Sequence, residues 1–188
     1  MRAMTFRGHI YGLPEFTKQV TLIVDRNAFK AAGIPISAAQ TTNRAKLLAT
    51  AKKLTRIDSD GNLMRIGFDP KIGSGFGFPL WVKWFGDDII PRDGLHARLN
   101  TPHAVAALTY AVKIIKTEGG WTEFKTFRDT WDIFGEQNPL VKNQAALWPT
   151  ESFIYNQLSI NSPDFDAVAE LFTNDKGDRS RSSAETAG

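Results

Sequence analysis

Apolar residues recur along this chain with two periods, and the switches between them mark out alternating strands and helices. Gln19 to Val24 (QVTLIV) is β-branched and almost continuously apolar, the pattern of a strand buried on both faces. Asp25 caps a short helix, Arg26 to Ala32, which Gly33 ends, and Ile34-Pro35-Ile36 carries the chain on in extended form. A longer helix begins at Thr41 or Thr42, with Leu47, Ala51 and Leu54 on one face, Leu48 beside them, and Lys46, Lys52 and Lys53 turned outward. Asp58 to Asn62 (DSDGN) reads as a turn and Leu63 to Phe68 (LMRIGF) as the next strand. Farther on, Leu80, Trp81, Trp84 and Phe85 share one apolar helical face, which reads as core.

Ile89 to Pro91 and Ala97 to Leu99 flank Arg92-Asp93-Gly94 as a small hairpin. Asn100 or Thr101, followed by Pro102, opens a helix whose stripe is Val105, Leu108, Val112 and Ile115, and Gly119-Gly120 closes it. Phe124, Phe127, Trp131 and Phe134 recur at helical spacing and predict a further amphipathic helix, after which Gly135 to Asn143 serves as a connector. Phe165 to Leu171 (FDAVAEL) reads as a last strand, and from Thr173 onward the residues are polar and small, as in a loop or a disordered end.

The stretch around which the rest is organised is Gln144 to Gln157 (QAALWPTESFIYNQ). Ala145, Ala146 and Leu147 suit a buried strand, Trp148-Pro149 stops it, and Thr150 caps a helix running through Phe153, Ile154 and Leu158. In an open α/β sheet a strand-turn-helix unit sets its turn at the carboxyl edge, where ligands bind, so Trp148, Thr150, Glu151 and Phe153 are candidate ligand-binding residues. Aromatic faces beside a carboxylate and a hydroxyl suit a polyol or sugar; the competing reading is that Trp148 and Phe153 are core. A second turn, opening the stretch Asp69 to Gly86 (DPKIGSGFGFPLWVKWFG), adds Phe76 for stacking and Asp69 and Ser74 for hydroxyl groups. Gly73, Gly75 and Gly77 follow a strand there, but the dinucleotide fingerprint needs a small residue where Phe78 stands, and no Gly-Lys-Ser/Thr is present.

Composition narrows the function classes. The 188 residues allow one large domain or two small ones, and a 42% hydrophobic, 23% charged chain is globular. A net charge of +3 with scattered Lys and Arg argues against nucleic acid and anionic membranes as partners. Without cysteine there is no disulfide, thiolate ligand or thiol nucleophile, and the compartment is left open. The first residues, MRAMTFRGHIYG, do not form a secretory signal, so if the protein is exported its signal lies outside this sequence. A calcium loop starting at Asp58 fails, with Leu63 where glycine is required and Asp69 where glutamate is required. His9, His96 and His103 lack metal spacing and no Gly-x-Ser-x-Gly elbow occurs, so no metal, cofactor or catalytic residue is assigned. Glu151 and Asp69 are the carboxylate pair that a glycoside hydrolase reading would use, and no second motif supports it.

Several landmarks, taken in order, resemble the family 1 extracellular solute-binding proteins of ABC sugar importers. They are YGLP (Tyr11 to Pro14), the helix Asp25 to Gly33, the segment Thr41 to Thr55 with its AKKLT, the turn Asp58 to Asn62, LNTPHAVAAL (Leu99 to Leu108) and NQAALWPTESFIYNQL (Asn143 to Leu158). Glu151 stands where the family often has glycine, Phe153 where it commonly has the stacking tryptophan, and Val24 and Asn27 where many members have Tyr and Asp. The resemblance implies a periplasmic-binding-protein-like α/β lobe, with an open, mostly parallel sheet flanked by helices, as a fragment of a two-lobe protein. Residues 1–20 would end the first lobe and cross over, 21–172 would form the second, ligand-binding lobe, and 173–188 would be the polar end. It implies a carbohydrate ligand held in a cleft without chemistry, ABC permease subunits as partners of the full-length protein, and an extracellular or periplasmic, membrane-associated location. Glu15 and Phe16, beside the crossing, join the ligand-binding candidates. The surface a missing lobe would cover raises a further reading, a dimerising interaction module.

Overall fold

The β-branched run beginning at Gln19 becomes the strand on which the sheet is built, with Leu22, Ile23 and Val24 fully buried. The computed structural model describes residues 4–13, 17–71, 77–91, 94–176 and 184–186. A short antiparallel ribbon, β1 (Thr5–Phe6) and β2 (His9–Ile10), precedes the central strand β3 (Thr17–Asp25). Then come α1 (Arg26–Ala31), a 3-10 turn (Ile36–Ala39), α2 (Arg44–Leu54), β4 (Arg56–Ile57), β5 (Leu63–Phe68) and α3 (Gly77–Trp84). The chain continues with α4 (Pro102–Thr117), α5 (Trp121–Arg128), β6 (Ala145–Glu151), α6 (Ile154–Asn161), β7 (Ala167–Leu171) and β8 (Ala184–Thr186).

Among the described residues the main sheet has six strands in the order β4-β5-β6-β3-β7, with β8 pairing the start of β3. The expected α/β lobe is present, but the sheet is mixed rather than mostly parallel: only β5 and β6 run parallel. β3 is antiparallel to β6, β7 and β8, and β4 is antiparallel to β5. Val20 lies opposite Glu151 and Thr21 opposite Leu171, so β3 enters at the edge where β6 and β7 end. A near-continuous apolar run signals coverage of both faces, and that coverage is compatible with either strand direction.

One face carries a core in which Val20, Leu22 and Val24 meet Phe29, Leu47, Leu54, Trp81, Trp84 and Ile114 from α1 to α4. The other face gathers Ile23, Trp148, Ile154 and Leu158 with half-buried Trp131 and Tyr155, while Phe124 of α5 packs on Leu63 and Ile66. Asp25 caps α1 through Ala28 N–H at 3.0 Å, as the sequence indicated. The cap of α2 is Asn43, not Thr41 or Thr42, and its Oδ1 accepts from Lys46 N–H at 3.0 Å. Helix α2 crosses β5 so closely that a Cβ on Gly67 would sit 1.9 Å from the Ala51 carbonyl oxygen.

Four local expectations are corrected. Thr101 caps α4 and Pro102 opens it, but the buried face is Ala104, Ala107, Tyr110 and Ile114; Val105, Leu108 and Val112 are 51%, 55% and 41% exposed. The tyrosine sets this rotation, because its ring lies 5.7 Å from Trp81 and 5.5 Å from Trp84 and its hydroxyl donates to the Arg44 carbonyl at 2.6 Å. The second helix ends at Arg128, so the aromatic series Phe124 to Phe134 does not share one helix. Arg98 N–H donates to the Ile89 carbonyl at 2.7 Å, but no strand forms here among the described residues; Arg92 and Asp93 lie outside them. Finally, the polar end is not all loop. Thr173 and Asn174 are buried, the Thr173 carbonyl accepts from Trp84 Nε1 at 2.6 Å and from Thr41 Oγ1 at 2.8 Å, and β8 joins the sheet.

Candidate functional site

The Trp-Pro pair does not stop its strand: β6 runs on through Trp148, Pro149 and Thr150 to Glu151, and α6 starts only at Ile154. The sheet accommodates the proline because of where β5 ends. Leu147 turns its carbonyl toward β5 and accepts from Asp69 N–H at 3.0 Å, so Pro149, two residues on, turns its nitrogen to the same side. There β5 has already finished at Phe68, so Pro149 sits beyond the paired stretch of that edge, where a missing N–H is tolerated.

Because β5 and β6 are adjacent and parallel, Asp69 and Glu151 emerge at the same edge. Asp69 is fully buried and organises that edge. Its carboxylate takes the Trp148 indole N–H at 3.1 Å, the Lys71 backbone N–H at 3.0 Å and the Arg128 guanidinium at 2.9 to 3.1 Å. Arg128 lies over the Trp131 ring, 5.1 Å from its centroid, and Trp131 meets Trp148 edge-on at 6.1 Å. The Trp131 indole N–H is buried without a hydrogen-bond partner. Next to this brace, Phe134 and Phe153 stack at 5.8 Å and 11° between ring planes, and they are 59% and 39% exposed.

These positions sort the sequence candidates. Trp148 is fully buried, so its ring is core and offers no stacking face, which corrects that assignment. Asp69 is likewise turned inward, satisfied by Arg128, Trp148 and backbone, and does not present its carboxylate to a ligand. Thr150 is buried with its hydroxyl donating to Glu151 Oε2 at 3.2 Å, and Glu151 is 6% exposed. Phe153 is the candidate left at the surface. Phe76, Ser74, Glu15 and Phe16 lie outside the described residues. Sequence reasoning missed Arg128, which pairs with a carboxylate 59 positions away, and it placed Phe134 on a packed helical stripe.

Beneath the edge, Glu118 at the end of α4 is fully buried and accepts Phe68 N–H at 2.9 Å. Burial pushes its carboxyl well above the usual range; backbone donors from Phe68 and Gly67 oppose this in part, and the Asp69 charge reinforces it. No group of His, Cys, Asp and Glu among the described residues is arranged to hold a metal ion. What this edge offers a ligand is aromatic surface next to firmly held polar groups.

No protein-family model and no curated protein matches the sequence. Solved structures do. CpMnBP1 with mannotriose bound is similar at 23% identity and a TM-score of 0.73, over 93% of this chain and 44% of that one. An ABC transporter solute-binding protein from Thermotoga lettingae, bound with α-D-tagatose, matches at 18% identity and a TM-score of 0.69, over 93% of this chain and 44% of its own. UspC of M. tuberculosis matches at 16% identity and a TM-score of 0.65, over 98% and 50%. The protein therefore has the mixed-sheet, helix-flanked fold of a solute-binding-protein lobe, and it spans about half or less of the length of the chains it resembles.

Proposed function

We propose that the protein is part of the substrate-binding component of a carbohydrate ABC importer and holds a sugar or oligosaccharide at the carboxyl edge of β5 and β6 without chemistry. The observation that carries the reading is the stacked, exposed Phe134–Phe153 pair at the end of β6. Such rings cover the apolar face of a sugar, and the rigid Asp69–Arg128–Trp148 brace beside them keeps the edge in place. The fold supports it, since the similar structures include CpMnBP1 with mannobiose bound and an ABC transporter solute-binding protein bound with α-D-tagatose. Phe76, Ser74, Glu15 and Phe16 are further proposed contacts, and Glu151, 6% exposed and hydrogen-bonded by Thr150, is proposed for a hydroxyl group. A second lobe would close over the ligand, permease subunits would receive it, and the location would be extracellular or periplasmic. No helix among the described residues is long and apolar enough to cross a membrane.

Calorimetric titration with mannobiose, mannotriose, tagatose, ribitol and mannitol tests the reading, using this chain and a longer protein that supplies a second lobe. Weak or absent binding by the single lobe and micromolar or tighter binding by the two-lobe protein is the expected result, because closure buries most of a ligand's surface. If the two-lobe protein takes none of these sugars the transport reading is wrong, and hydrolysis of one would replace it with the hydrolase reading.

The exposed face of α4 favours a second reading, a lobe that self-associates, because Val105, Leu108 and Val112 form an apolar stripe at the surface. Size-exclusion chromatography at rising concentration distinguishes it. A monomer throughout excludes it.

A further inference from the structure

A cavity of about 640 Å³ opens between the start of α2, the end of α3, the start of α4 and the segment after β7. It is lined by Arg44, Phe85, His103, Asn174, Asp175 and Lys176. Its size is that of a small-molecule site, whereas the cavity along α2 at Gly33 and Lys53 holds about 260 Å³ and the one at Pro70 and Leu108 about 230 Å³. None of the residues proposed for the sugar edge lines it.

Arg44 is built into this wall. Its guanidinium lies over the Phe85 ring at 4.2 Å and within 5.8 Å of Trp84, so the aromatic pair fixes its plane. Nη2 donates to Asp175 Oδ2 at 3.0 Å, while Nη1 is shielded from water and has no acceptor. Among the described residues that line the cavity, Arg44, Lys176 and His103 are basic and Asp175 is the carboxylate, with one of its oxygens already serving Nη2. His103 lies at the rim, 4.0 Å from Asp87, which is turned to Arg98 as well. The Asn174 side-chain oxygen is engaged by Lys176 N–H at 3.0 Å, which orders the segment that brings Asp175 and Lys176 to the wall.

We infer that this cavity is a second binding site, for a small oxyanion: a phosphate, sulfate or carboxylate group, free or carried on a small molecule. Arg44, whose Nη2 is shared with Asp175, and Lys176 supply positive charge to the oxyanion, and Phe85 holds the guanidinium from behind. The site stands apart from the Phe134–Phe153 edge, so it does not depend on the sugar reading.

Calorimetry with inorganic phosphate, sulfate and citrate against the whole chain, at low ionic strength, is the test. Saturable binding of at least one of the three is expected, weakening as sodium chloride is raised. Arg44→Gln should weaken it about tenfold or more, the loss of a charged donor. Lys176→Ala, an exposed position whose replacement leaves the core untouched, should weaken it severalfold. Phe153→Ala should leave it unchanged. No saturable binding of any of the three anions overturns the inference, and so does binding that survives both Arg44→Gln and Lys176→Ala. Anion binding that disappears in Phe153→Ala would move the site to the sugar edge and overturn it too.

Discussion

The Trp148 indole donates its N–H to Asp69 Oδ2 across 3.1 Å, tying the end of β5 to the middle of β6. Both side chains are fully buried, and the same carboxylate neutralises Arg128, whose side chain is 10% exposed. Removing the acid therefore strands a buried cation and a buried indole N–H at once. Asp69→Ala should lose about 3–5 kcal/mol of stability, the usual result of breaking a buried pair from one side. Asp69→Asn, which still accepts from Trp148, should lose less. Urea unfolding ranks the two, and equal losses would mean that the tryptophan bond contributes nothing.

Gly67 is required for a reason of space. A methyl group there would overlap the Ala51 carbonyl oxygen, 1.9 Å away, so α2 must shift off β5. Gly67→Ala should cost about 2–3 kcal/mol or more. Gly61, at φ +89° with nothing near its Cβ position, should cost only about 1 kcal/mol when replaced by alanine, from backbone strain alone. Denaturant midpoints for the two variants check the order.

The rotation of α4 has its own test. Ala107 is fully buried and Leu108 is 55% exposed. Leu108→Lys should change stability by about 0.5 kcal/mol or less, as surface substitutions do. Ala107→Lys should unfold the protein or cost several times that amount. The opposite ranking in thermal denaturation would restore the stripe that the sequence suggested.

Phe134→Ala and Phe153→Ala should each reduce sugar affinity about tenfold in the two-lobe protein, consistent with losing one stacking face. Both rings are at the surface, so stability should fall by no more than about 1 kcal/mol. Calorimetry reads the first effect and thermal melting the second. Unchanged affinity in both variants would remove the aromatic pair from the ligand site.

Glu118 gives a pH prediction with a definite sign. Its folded-state pKa is raised, so the folded protein holds a proton that the unfolded chain releases near the ordinary value of 4.5. Its contribution is fully present below that pH and is lost as pH rises toward the folded-state pKa. Asp25, also raised by burial, acts in the same direction. Glu118→Gln keeps an acceptor for Phe68 N–H and cannot ionise, so its stability should fall less between pH 4.5 and neutrality than that of the parent. Urea titrations at a series of pH values check this, and parallel curves for the two proteins would show that Glu118 does not titrate on unfolding.

Local chemistry was legible in the sequence where one segment decides the outcome. The Asp25 cap, the Pro102 helix start, the DSDGN turn and the continuous burial of Leu22 to Val24 follow from side-chain type and spacing within a few residues. Phe153 is found the same way, as an aromatic just beyond a buried strand, and it lies at the surface of that edge. Arg128 and Phe134 are not, because each acquires its place from a partner far along the chain: Asp69 for one, Phe153 for the other.

Apolar periodicity alone is enough to tell most strands from helices and to show that helices cover both faces of the sheet. Strand direction, the rotation of α4 and the passage of β6 through Pro149 depend on contacts between distant segments. Direction leaves no mark on a strand buried on both faces. The face of α4 is chosen by where Tyr110 fits among Trp81 and Trp84, not by the count of apolar residues. Pro149 reads as a stop in isolation, and it is tolerated because β5 ends one residue too early to need its N–H.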